Sequence, residues 1–93
     1  MALKITQENG TYMVSGNLNG ATAFEFYNHF EMILTQEGHL ELNVEQLSQL
    51  DNNGIMALYK LYRKSLVFNQ GFIITGEGSE AICVELGFFM AAA

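Results

Sequence analysis

Four stretches carry residue types that could do chemistry. Glu25 and His29 lie four apart in "FEFYNHF", the spacing that puts two side chains on one helical face, and His39 follows ten residues later. A metal site needs three or four ligands, and this set offers at most three from two separate elements, so these residues read as surface polar groups. Cys83 stands in "AICVEL" with no basic neighbour to lower its pKa, so it reads as a small packed thiol and not as a nucleophile. "GFIITGEG" holds three glycines but lacks the spacing of either phosphate-binding loop and is followed by no lysine. The fourth stretch is Asp51-Asn52-Asn53-Gly54, set between a leucine and an amphipathic run. Asp and Asn immediately before a helix can accept hydrogen bonds from its first N–H groups, which have no intrahelical partners and carry partial positive charge. On residue types alone the stretch reads as an N-cap and turn. The remaining carboxylates form no pair in contrasting environments, and the residues make no case for an enzyme.

The elements that must position these residues follow from periodicity. "LKITQE" and "TYMVSG" alternate weakly on either side of Asn9-Gly10, which predicts an antiparallel hairpin with strands at about 3–8 and 11–17. The period then changes. Ala23, Phe26, Tyr27, Phe30, Ile33 and Leu34 form one apolar helix face that Gly38 closes, with Thr22 or Asn19 as its N-cap. "HLELNV" predicts a third strand near 39–44, and "EQLSQLDNNG" a connection. "IMALYKLYRKSLVF" predicts a second helix with Ile55, Leu58, Tyr59, Tyr62 and Leu66 inward. "FIIT" is short, apolar and β-branched, as expected of a buried central strand. A third helix should begin near Ser79 with Ala81, Ile82 and Leu86 inward. The order β-β-α-β-α-β-α predicts an α/β domain over residues 1–93, with a mixed sheet of about four strands and helices on one face.

Composition narrows the partners. The chain has 93 residues, ten acidic against four basic side chains, and a net charge of −6. Nucleic acid and anionic membranes both demand a concentrated basic patch, so neither is expected as a partner. Lys60, Arg63 and Lys64 fall close together and read as a solvated helix face. A single cysteine forbids an internal disulfide and suits a reducing compartment. There is no secretory-signal pattern and no apolar run of the roughly 20 residues a spanning helix needs, so the expectation is a cytoplasmic protein without direct membrane insertion.

Order and spacing of these motifs resemble one family. The stretch from Leu40 to Phe88, with Asp51 and Gly54 before a helix and "GNLNG" (Gly16 to Gly20) before an earlier one, is similar to the STAS domain. That family includes bacterial anti-sigma factor antagonists and cytoplasmic domains of sulfate transporters. Its signature is Asp-Ser-x-Gly or Asp-Thr-x-Gly. The resemblance implies a non-catalytic protein-interaction module with no cofactor and no metal. Its contact surface would comprise Asn17, Asn19 and Thr22 of the first turn with Asp51, Asn52, Asn53, Gly54 and Ile55. The partner would be a histidine-kinase-like ATPase acting as an anti-sigma factor, or alternatively the ATPase subunit of a membrane transporter. In the antagonists the Ser or Thr of the signature is phosphorylated by that kinase, which abolishes binding. Here the phosphosite-equivalent residue is Asn52, so the resemblance implies a module without the usual switch; Ser48 lies too early to replace it. Nucleotide binding, proposed for some family members, is not favoured by these residues. Family members commonly continue with a further strand and helix, whereas this sequence ends in "GFFMAAA". Phe88, Phe89 and Met90 are expected to cover an open edge or to be left exposed, which would favour a homodimer or another partner.

Overall fold

The computed structural model describes residues 3–86. Chain order is β1 (Lys4–Glu8), β2 (Thr11–Leu18), α1 (Ala23–Glu37), β3 (His39–Leu50), α2 (Asn52–Val67), β4 (Gly71–Thr75) and α3 (Ser79–Glu85). The expected order β-β-α-β-α-β-α therefore stands. The strands form one mixed sheet in the order β1-β2-β3-β4. β1 and β2 are antiparallel, with Glu8 opposite Thr11 across a tight turn. Asn9 and Gly10 both take positive φ (53° and 84°), the conformation that matches the twist of a two-residue hairpin and that this dipeptide tolerates. The β2–β3 and β3–β4 pairs are parallel, each joined through a helix.

One core serves the whole domain. Val14 and Leu18 of β2, Leu40, Leu42 and Val44 of β3, and Phe72 and Ile74 of β4 are buried at alternate positions, so one face of the sheet is covered. Over it α1 lays Phe26, Phe30, Ile33 and Leu34, and α2 lays Ala57, Leu58, Leu61 and Tyr62. Phe30 meets the ring of Tyr12 edge-on at 5.5 Å and that of Phe26 at 5.0 Å, arrangements that aromatic quadrupoles favour. Ile82 and Leu86 of the short α3 complete the cluster. Gly38 ends α1 with φ 78°, and its N–H donates to the carbonyl of Leu34.

The structure corrects four expectations. β3 does not stop at 44. Residues 45–50, expected to connect, continue the strand to Leu50 and pair with Ser15 to Leu18. Their alternation is lost because register shifts interrupt the ladder between Met13 and Ser15 and between Gly16 and Asn17, and because this end of β3 is mostly exposed. Second, α2 starts at Asn52 and not at Ile55, so Asn52, Asn53 and Gly54 are its first turn and not a loop. Third, among the described residues "FIIT" is not a central strand. β4 stands at the end of the strand order, and only Phe72 and Ile74 face the core while Ile73 is exposed. Fourth, Leu66 and Ala81 are exposed. The buried stripe of α2 runs Gly54, Ala57, Leu58, Leu61, Tyr62, Ser65, which leaves Ile55 and Tyr59 on its shoulder and Leu66 beyond it. Phe88, Phe89 and Met90 lie outside the described residues.

Candidate functional site

Parallel pairing decides what meets at the site. With Leu18 opposite Leu50, the C-terminal ends of β2 and β3 are adjacent, and the turn into α1 sits beside the turn into α2. The Asp51 N–H donates to the Leu18 carbonyl at 3.2 Å. Asp51 is the N-cap of α2: its Oδ1 accepts from the Gly54 N–H at 3.0 Å, satisfying one of the helix's orphan donors. Its Oδ2 accepts from the Gly20 N–H of the neighbouring turn at 3.3 Å. A single carboxylate thus caps one helix and fastens the entry to the other. The bond from Gly54 above all, with those from Gly20 and Asn53, holds the Asp51 carboxyl below its ordinary pKa against a smaller opposing effect of desolvation.

Gly54 is a steric requirement. A Cβ on Gly54 would sit 2.5 Å from the Leu18 carbonyl oxygen and 2.7 Å from Leu50 Cδ1, so any larger residue would push β2 and α2 apart. A Cβ on Gly20 would come within 3.1 Å of the Asn53 side-chain nitrogen. The first turn has its own network. Thr22 occupies the N-cap position of α1; its carbonyl accepts from the Phe26 N–H at 3.0 Å, but its side chain does not cap the helix. Its hydroxyl donates to the Asn17 carbonyl at 2.7 Å and accepts from the Asn19 N–H at 3.1 Å. Asn19 Oδ1 accepts from the Ala21 N–H at 2.9 Å, and Asn19 Nδ2 donates to Gln49 Oε1 at 2.8 Å. So neither expected cap of α1 bonds the helix with its side chain; both knit the turn instead.

All eight residues singled out from the sequence fall in this one region, but they differ in availability. Gly54 and Thr22 are buried, and Asp51, Ile55, Asn17 and Asn19 are half-buried. Asn52 and Asn53 are exposed. Asn52 lines a shallow cavity of about 310 Å³ with Asp51, Ile55, Ala81 and Glu85. Sequence reasoning missed Gly20 and Gln49, which bond across the two turns. Gln49 gave no signal because its segment read as a connection; Gly20 stood within the quoted "GNLNG" but its contact is across strands.

The other candidates scatter. Glu25 and His29 are exposed on α1 beside a cavity of about 230 Å³, while the His39 ring lies 3.1 Å from the Glu37 carbonyl. Among the described residues no three metal-ligating side chains come together. Burial, with Glu80 nearby, pushes the Cys83 thiol pKa up, the reverse of an activated nucleophile. Lys64 is paired with Glu31 at 3.4 Å and rests over the Phe68 ring, and Arg63 donates to the Tyr59 hydroxyl at 3.2 Å. Ser48 is exposed at a register irregularity of β3. No helix among the described residues is long and apolar enough to cross a membrane.

No protein-family model and no curated protein matches this chain. Solved structures do. A crystal structure of an anti-sigma factor antagonist from Mycobacterium paratuberculosis superposes with a TM-score of 0.70 at 18% identity, over 94% of this chain and 78% of that one. The anti-sigma factor antagonist SpoIIAA, in its unphosphorylated form, superposes with a TM-score of 0.61 at 17% identity, over 78% of this chain and 71% of that one. Sheet order, helix placement and these superpositions agree that the chain has the STAS fold of the anti-sigma factor antagonists.

Proposed function

We propose that the protein is a non-catalytic interaction module of the anti-sigma factor antagonist type, binding a kinase-like regulatory ATPase without a phosphorylation switch. The observation that carries this reading is the placement of Asn52: exposed, at the first position of α2, directly after a cap that is bonded to both turns. The surrounding backbone is preorganised, so a partner need not order it on binding. Asn52 offers that partner a neutral donor and acceptor. It cannot take a phosphoryl group as serine does, because its amide nitrogen has no free lone pair and no hydroxyl is present. A phosphate at this position would add a charge of about −1.5 to −2; an amide keeps the contact uncharged.

The test is affinity capture from the native lysate with wild type and Asn52→Asp, followed by calorimetry with the purified captured protein. The expected result is a histidine-kinase-like ATPase bound by wild type and weakened at least tenfold by Asn52→Asp, with radiolabel from ATP transferred to an Asn52→Ser variant and not to wild type. Equal affinity of wild type and Asn52→Asp for that ATPase would overturn the reading. A transporter ATPase bound in its place would move the module to transport.

A further inference from the structure

Three asparagines are followed directly by glycine: Asn9-Gly10, Asn19-Gly20 and Asn53-Gly54. This dipeptide has a reaction of its own. The glycine backbone nitrogen, unhindered by a side chain, attacks Cγ of the asparagine, loses its proton and expels the side-chain nitrogen as ammonia. Water then opens the resulting five-membered imide at either carbonyl. The product is aspartate or isoaspartate, with a negative charge gained and no change of oxidation state. The reaction needs an amide N–H that can give up its proton and a backbone that can bring that nitrogen onto Cγ.

We propose that Asn9 is the site of spontaneous deamidation in the folded chain, and that Asp51 shields Asn19 and Asn53 from the same reaction. At the hairpin tip Asn9 is exposed, neither its side chain nor the Gly10 N–H bonds another described residue, and the space around Gly10 is open. β1 beside it is mostly exposed, so little packing resists rearrangement of the turn. The other two pairs converge on one carboxylate. Asp51 Oδ1 accepts from the Gly54 N–H at 3.0 Å, and Oδ2 from the Gly20 N–H at 3.3 Å. These two N–H groups are the nucleophiles of the two remaining Asn-Gly pairs. A bonded N–H must break that bond to react, and a negative charge beside it opposes loss of the proton. Gly54 lies in the first turn of α2, where the N–H has no intrahelical partner, so Asp51 is what occupies it. The backbone is fixed as well. Gly54 is wedged against Leu18 and Leu50, and the Asn19 carboxamide is held by the Ala21 N–H at 2.9 Å and by Gln49 at 2.8 Å. Asp51 thus keeps two amides beside Asn52 from becoming carboxylates, while the labile pair lies at the opposite end of β2, whose eight residues span ~26 Å. This partition holds whether or not the Asn52 surface binds a kinase-like ATPase.

Incubation of the purified full chain at mildly alkaline pH and body temperature, followed by peptide mapping with mass spectrometry, provides the test. The expected result is conversion at Asn9 at least ~10-fold faster than at Asn19 or Asn53, the scale set by one hydrogen bond to a charged acceptor. In guanidinium chloride the three rates should converge, because the protection belongs to the fold. Asp51→Ala, folded by circular dichroism, should speed conversion at Asn19 and Asn53 severalfold and leave Asn9 unchanged. Asp51→Ser keeps an N-cap acceptor for Gly54 but cannot reach both turns, so it should restore the protection of Asn53 and leave Asn19 fast. Equal rates at the three sites in folded wild type overturn the proposal, as does a ranking that persists in guanidinium chloride. A folded Asp51→Ala chain in which Asn19 and Asn53 react as slowly as in wild type also overturns it. Should Asp51→Ala not fold, the native and denatured rates of wild type and the contrast between Asn19 and Asn53 in Asp51→Ser decide.

Discussion

The two ends of α2 solve opposite problems. At its N-terminus directional polar contacts set the geometry: one carboxylate accepts from two turns, and a glycine is required because β2 passes against it. At its C-terminus Leu66, Val67 and Phe68 face outward, with Lys64 resting over the Phe68 ring. Polar groups at the first end are directional, so they hold a single geometry and resist substitution. Apolar groups at the second are non-directional, so substitution there changes what the surface meets more than how the domain folds. The same helix therefore offers one surface fixed by internal bonds and another that is largely apolar and flanked by Arg63 and Lys64.

Substitutions can break this contrast in order of size. Gly54→Ala should cost about 3 kcal/mol in urea unfolding, since the added Cβ meets the Leu18 carbonyl and Leu50, neither of which can move without opening the core. A cost no larger than that of an exposed glycine would show that the two turns are not held together as tightly as the geometry implies. Asp51→Ala should lower the urea midpoint by less than Gly54→Ala, by loss of the cap and of the bond to Gly20.

Asp51 also sets a pH signature. Its folded pKa is depressed relative to an ordinary value near 3.8. The stability it contributes is therefore fully present above that value and is lost as the pH falls through the lower, folded pKa. In Asp51→Asn the decline in melting temperature below that pH should be shallower than in wild type; parallel curves would assign the acid sensitivity to other carboxylates.

Asn52→Asp should change stability by no more than about 0.5 kcal/mol, in the favourable direction, because a negative charge in the first turn suits the helix dipole. It separates fold from binding: a large loss of stability would show that Asn52 is a structural residue. The smallest effect on folding is expected from Ile73→Lys, within about 0.5 kcal/mol by urea unfolding, since the side chain is mostly exposed. A larger cost would mean that Ile73 packs against something within its own chain.

Legibility in the sequence followed the range of the interactions. The Asn9-Gly10 hairpin, the α1 stripe through Phe26, Phe30, Ile33 and Leu34, and the Asp51 cap all rest on contacts within a few residues, and each appeared where periodicity or turn chemistry placed it. Errors arose where a distant partner decided. The half of β3 beyond Val44 is a strand because β2 pairs with it, and an exposed, irregular ladder leaves no alternation to read. β4 looks central because its residues are apolar and β-branched, yet a strand's place in a sheet depends on which neighbours it finds.

By itself, then, the sequence determined the identity and order of the elements, the absence of a hydroxyl at position 52, and the acidic character of the surface, because period, residue type and charge are local or additive quantities. Tertiary structure alone decided that the Asn17–Thr22 turn meets the start of α2, that Gly20 bonds Asp51 across 31 positions, and that β4 ends the strand order of the described residues. The physical reason is parallel pairing: it brings the C-terminal ends of β2 and β3 together only after a whole helix has crossed between them, and no spacing rule along the chain records that approach.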